Sequence, residues 1–91
     1  MKEAQEEVGK ISKEVNRESV YSSSFFISLL AEQLGQVAEK YVHTGREAPG
    51  IEVDVADIIV CCLAFLNWLD KDASPSFDKA LKKHRARLKA L

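Results

Sequence analysis

Residues 58–69 read Ile-Ile-Val-Cys-Cys-Leu-Ala-Phe-Leu-Asn-Trp-Leu, an apolar segment broken only by Asn67. It has helical length and holds no turn residue, so it reads as the body of a helix over residues 52–71 and not as a strand. A helix that is apolar round its whole circumference has to be covered on more than one side. In a chain of 91 residues few elements can do that. The cover is expected to include a partner subunit, which makes this third helix the central, interface-forming element. Its longest unbroken apolar run, 58–66, has nine residues. A bilayer span needs about 20.

The flanking sequence supplies three further helices. Over residues 2–17, Ala4, Val8, Ile11 and Val15 recur at helical spacing, with Glu3, Glu6, Glu7, Lys10, Lys13 and Glu14 on the wet side. Gly9 weakens this helix. Ser22, Ser23 and Ser24 offer N-cap hydroxyls to a second helix over residues 25–43, whose apolar face carries Phe26, Leu30, Leu34, Val37, Ala38 and Tyr41. Residues 44–50 contain Gly45, Pro49 and Gly50 and read as a loop. Ser74-Pro75 is a cap followed by proline at the first helical position. The fourth helix then runs to the C-terminus with Phe77, Leu81, His84, Leu88 and Leu91 in line. The fold class expected is all-α, a four-helix bundle of one domain spanning 1–91 and assembled as a homo-oligomer.

Composition narrows the function classes. Apolar residues make up 46% of the chain, too many for disorder. A formal net charge of −1 argues against a general nucleic-acid binder. Cys61 and Cys62 are adjacent, which is no disulfide framework and fits a reduced, cytoplasmic protein. The charged N-terminal segment does not resemble a signal peptide.

Asp54 and Asp57 lie three apart at the start of the third helix, roughly 60° from each other, and so share a face. Cys61, Phe65 and Trp68 continue that stripe inward. Acids in a first helical turn are favoured by the helix dipole, which explains the pair without any ligand. A divalent-cation site is the other explanation.

The segment Leu30-Ala31-Glu32-Gln33-Leu34-Gly35-Gln36-Val37-Ala38-Glu39 resembles the first signature of the MazG-like all-α nucleotide pyrophosphohydrolases, two adjacent Glu followed by a third after a spacer that often holds Gly. Val53-Asp54-Val55-Ala56-Asp57-Ile58-Ile59 resembles the second, an acid with Asp three residues later. The resemblance extends over residues 22–88. It implies a homodimer or homotetramer that binds a nucleoside triphosphate through Mg²⁺, or Mn²⁺ in its place, and releases pyrophosphate and a nucleoside monophosphate. It also implies that the four metal-ligand positions are Gln33, Gln36, Asp54 and Asp57. Two of these are amides here. An amide carbonyl can coordinate Mg²⁺ but brings no charge, and Mg²⁺ prefers anionic oxygens. Glu32 and Glu39 lie about 40° and 60° from Gln36 round the helix and could serve a displaced metal. The chain is accordingly either a pyrophosphohydrolase with a degraded metal site or a non-catalytic module that binds a nucleotide or another protein.

From Pro75 to the C-terminus there are six basic residues and one acid. Cations near a helix C-terminus suit the dipole, and this is the plain explanation. The resemblance adds another, phosphate contact through Lys83 and Arg87, which lie four apart. Phe65 and Trp68 are core candidates that could alternatively approach a base, with Tyr21 and Phe25 nearby. His43 and His84 have no zinc-site spacing.

Overall fold

The computed structural model describes residues 1–15, the side chain of Val15 excepted, and 21–90. These form four α-helices, and no strand occurs among the described residues: α1 (Lys2–Val15), α2 (Ser23–Thr44), α3 (Ile51–Trp68) and α4 (Ala73–Ala90). No helix is long and apolar enough to cross a membrane. The all-α expectation holds. The proposed reach of the first helix to Arg17, the Val15 place in its stripe and the Leu91 end of the fourth lie outside the described residues.

Each helix end has a local cause. Ser22, extended at φ −154°, accepts a hydrogen bond from the Phe25 N–H at 3.1 Å and so caps α2, which contributes about 1 kcal/mol. Gly45 stops α2 at φ 81°, and a single 3₁₀ turn (Gly45–Glu47) leads to buried Ala48. Gly50, left-handed at φ 75°, starts α3, and its carbonyl accepts from the Val53 and Asp54 N–H groups. α3 ends at Trp68, three residues before the expected boundary. There Asp70 adopts φ 58°, the Lys71 N–H donates to the Leu66 carbonyl, and the Asp70 N–H donates to Asn67. These bonds satisfy orphan carbonyls at the helix end, a role that glycine usually fills. α4 starts two residues earlier than expected, so Pro75 sits inside the first turn, where its missing N–H costs nothing.

The central unit is an antiparallel α2–α3 hairpin. Phe26 stacks on Phe65 with ring centroids 4.8 Å apart at one end of the seam, and Lys40 pairs with Asp54 at the other. Between these pairs the seam follows heptad spacing, through Phe26, Leu30, Gln33, Val37 and Lys40 on α2 and Asp54, Ile58, Cys61, Phe65 and Trp68 on α3. Helical spacing puts Leu34, Ala38 and Tyr41 on the packed face of α2, and all three are exposed. Leu34 and Tyr41 are 61% and 57% exposed, and Gln33 turns inward instead.

α1 lies against α3. Val8, Leu63 and Ala73 form one small core cluster, with Ala64 and Leu66 packed on it. Ile11, placed on the apolar stripe, is 60% exposed. The three-way corner of α1, α3 and α4 is held by one polar side chain. Gln5 Nε2 donates to the Lys71 carbonyl at 2.8 Å, and Gln5 Oε1 accepts from the Ala73 N–H at 2.8 Å. Asn67 Nδ2 also donates to the Gln5 carbonyl at 3.0 Å. Beyond Ala73, most of α4 stands in solvent.

Candidate functional site

The six carboxylates and amides singled out above fall on two parts of the hairpin. Gln33 and Asp54 belong to the seam. Gln36 and Asp57 each lie one position back from a seam residue, Val37 and Ile58. In antiparallel helices, residues displaced the same way along both chains emerge on the same flank. With the register set by Phe26–Phe65 and Lys40–Asp54, Gln36 and Asp57 stand at one height on that flank. Glu32 and Glu39, one position back from Gln33 and Lys40, share it, and all four residues are exposed.

Asp54 is the part-buried carboxylate, and it is already engaged. Its Oδ2 accepts a hydrogen bond and ion pair from Lys40 Nζ, in the next turn of α2 from Gln36. The ammonium supplies the cation that this carboxylate faces. Gln33 presents the opposite problem. Its Oε1 is buried and finds no hydrogen-bond partner among the described residues. An unpaired buried carbonyl of this kind costs about 1–3 kcal/mol. A carboxylate at that position would be costlier still without a cation.

These residues do not fit a resident Mg²⁺. Two of the four positions carry no charge, the third is neutralised by Lys40, and the fourth, Asp57, projects from the flank. Among the described residues, no three His, Cys, Asp or Glu side chains gather closely enough to hold a metal ion. The nearest cleft, about 370 Å³, is lined by Gln36, Glu39, Lys40, His43 and Thr44, all from α2.

The phosphate-contact candidates are elsewhere. Lys83 and Arg87 are exposed on α4, whose neighbours are α1 and the Leu63–Leu66 part of α3. Among the described residues no contact joins either to Asp54 or Asp57. Phe65 and Trp68 belong to an aromatic cluster with Phe26, and Tyr21 and Phe25 pack on the same ring. In this cluster Phe26 is buried, Phe65 half-buried and Trp68 41% exposed. Burial pushes the Cys62 thiol above its ordinary range, and neighbouring Cys61 adds to the shift, so Cys62 is protonated at neutral pH and no activated nucleophile.

Two residues that organise these regions, Lys40 and Gln5, carry no motif in the sequence. Lys40 could have been suspected, since it falls one heptad after the inward Gln33. Gln5 left no signal, because a lone glutamine on the wet side of a helix has no pattern. Compared with family models, curated proteins and solved structures, the chain matches none.

Proposed function

We propose that this chain is a MazG-like helical module that associates with itself and takes up a nucleotide without hydrolysing it. The observation that carries the non-catalytic reading is the Lys40–Asp54 pair. A side-chain ammonium meets the one part-buried carboxylate, and amides stand at the two positions where a metal-dependent hydrolase of this kind needs acids. The resemblance of residues 30–39 and 53–59 to the two MazG-like signatures supports the nucleotide as ligand. The largely uncovered apolar surface of the hairpin supports self-association.

A second reading is the pyrophosphohydrolase itself. It is favoured by one feature: Asp57 and Gln36 stand at one height on an exposed flank, where a metal carried in by a nucleotide would meet a free carboxylate.

The two readings separate in one pair of measurements on the folded protein. Pyrophosphate release is followed across ribo- and deoxynucleoside triphosphates with Mg²⁺ and with Mn²⁺, and thermal melting is followed with the same nucleotides. The non-catalytic module shows a rise in melting temperature with a nucleotide and no release. Release that disappears in Asp57→Ala establishes the hydrolase. Neither release nor a thermal shift removes the nucleotide from the proposal.

A further inference from the structure

α2 covers one side of α3 and α1 another, and a third side is open apart from the first turns of α4. Val55, Ile59 and Cys62 recur there at helical spacing, and all three are exposed. Between this side and α4 runs a groove of about 340 Å³, whose walls include Ile59, Cys62 and Leu66 on α3 and Ala73, Ser76 and Phe77 on α4. Among the described residues no lining side chain is charged. The one hydroxyl, Ser76 Oγ, already donates to the Asp72 carbonyl at 2.8 Å. An extended peptide laid here would bury its N–H and C=O groups against walls that offer them no partner. The occupant has to satisfy its own backbone, as a helix does, and to bring an apolar face.

The charge comes from α4. Beyond Ala73, Ser76 and Phe77, the same row of that helix continues through Ala80, Lys83 and Arg87, at spacings of three and four. Lys83 and Arg87 lie about 9 and 15 Å past Phe77 along the axis. Both are exposed, and among the described residues no carboxylate pairs with either. Asp78, the one acid of α4, falls on the opposite side of the helix. The one acid in line on the α3 wall is Glu52, beyond Val55 at the far end. The area is sufficient as well. The chain exposes 7202 Å², against about 5,300 Å² for a compact monomer of its 10.2 kDa mass. That surplus exceeds the roughly 800 Å² that each partner gives to a stable complex.

We infer that the α3–α4 groove seats an amphipathic helix of another protein, one whose polar face is acidic. Its apolar side chains enter between Ile59 and Phe77, and its carboxylates meet Lys83 and Arg87. Charge of opposite sign at the rim then selects the partner and its direction in the groove, while the apolar floor holds it. The inference is independent of the nucleotide proposed above. It also leaves to self-association the α2 surface around Ile27, Leu34 and Tyr41, each more than half exposed.

Three labelled helical peptides test it by fluorescence anisotropy with the full chain. They share one leucine face and differ in a polar face of glutamate, glutamine or lysine. The glutamate peptide is expected to bind roughly tenfold tighter than the glutamine peptide, with the lysine peptide weakest and the gap narrowing as salt rises. Phe77→Ser and Ile59→Ser, at positions 45% and 51% exposed, are expected to weaken all three peptides. Lys83→Glu combined with Arg87→Glu is expected to reverse the order, an outcome that a merely structural role for these residues would not give. Helical circular dichroism checks that each variant is folded. Equal affinity for the glutamate and lysine peptides, or an order unchanged by the double charge reversal, overturns the acidic partner. No binding of any peptide up to roughly 100 µM overturns the groove as a helix seat. A dimer lost in Phe77→Ser, or phosphatidylserine vesicles bound by a chain that takes up no peptide, assigns the groove to a second copy or to a lipid surface and likewise overturns the inference.

Discussion

Phe26 and Phe65 stack with their rings 6° from parallel, and Phe26, 1% exposed, is the most deeply buried large side chain among the described residues. Trp68 and Tyr21 close on the same ring, with centroids at 5.9 and 4.9 Å. This is where the hairpin has a packed interior. Truncating Phe26 to Ala removes the ring that all of them share and is expected to cost about 3–5 kcal/mol. Such a loss is comparable to the whole stability of a small domain. Chemical denaturation should show the variant largely unfolded, while Leu88→Ala, at a 69% exposed position, should change little.

Gln33 offers a test with two signs. Gln33→Leu keeps the size and removes the unpaired carbonyl, so it is expected to stabilise the protein by about 1 kcal/mol. Gln33→Glu puts a carboxylate in the seam and is expected to destabilise at neutral pH. The midpoint of urea unfolding reads both.

Lys40→Met separates the role of the ammonium from that of the fold. The pair is solvent-accessible, with Lys40 and Asp54 side chains 45% and 25% exposed, so its loss is expected to lower stability by less than about 1 kcal/mol. The same change frees Asp54. Combined with Gln33→Glu and Gln36→Glu, it is expected to give Mn²⁺ binding at least ten times tighter than that of the wild type, read by titration calorimetry. A triple variant without metal affinity would show that these four positions do not converge.

Gln5→Ala should loosen the corner where three helices meet. The Lys71 carbonyl loses its donor and the Ala73 N–H loses its acceptor, each bond contributing about 0.5–1.5 kcal/mol. Amide exchange in the first turn of α4 is expected to accelerate well before exchange in α3 does.

Most of the helical layout was legible in the chain. The Ser22 cap, the Gly45 and Gly50 breaks and the apolar body of α3 each act locally, and local signals survive without tertiary context. Boundaries slipped where the chain used an unusual residue: Asp70 takes a left-handed conformation that glycine would have announced, and α3 ends early there. The inward faces were harder to read. On α2 two adjacent stripes are apolar, Phe26–Leu30–Val37 and Ile27–Leu34–Tyr41, and periodicity cannot say which one meets α3. The candidate site was legible as residue types and not as geometry. Asp54 and Gln33 share the seam because of a register that only packing defines, and Lys40 reaches Asp54 from fourteen residues away.

The Gln5 corner also orders events in time. Its hydrogen bonds connect residues 62, 66 and 68 positions apart, whereas α2 and α3 are joined by one short turn. Closing a long loop costs entropy before any contact rewards it, so on refolding the hairpin is expected to form before the corner closes. Until the corner closes, the face of α3 around Leu63 and Ala64 that packs with Val8 and Ala73 stays open to solvent.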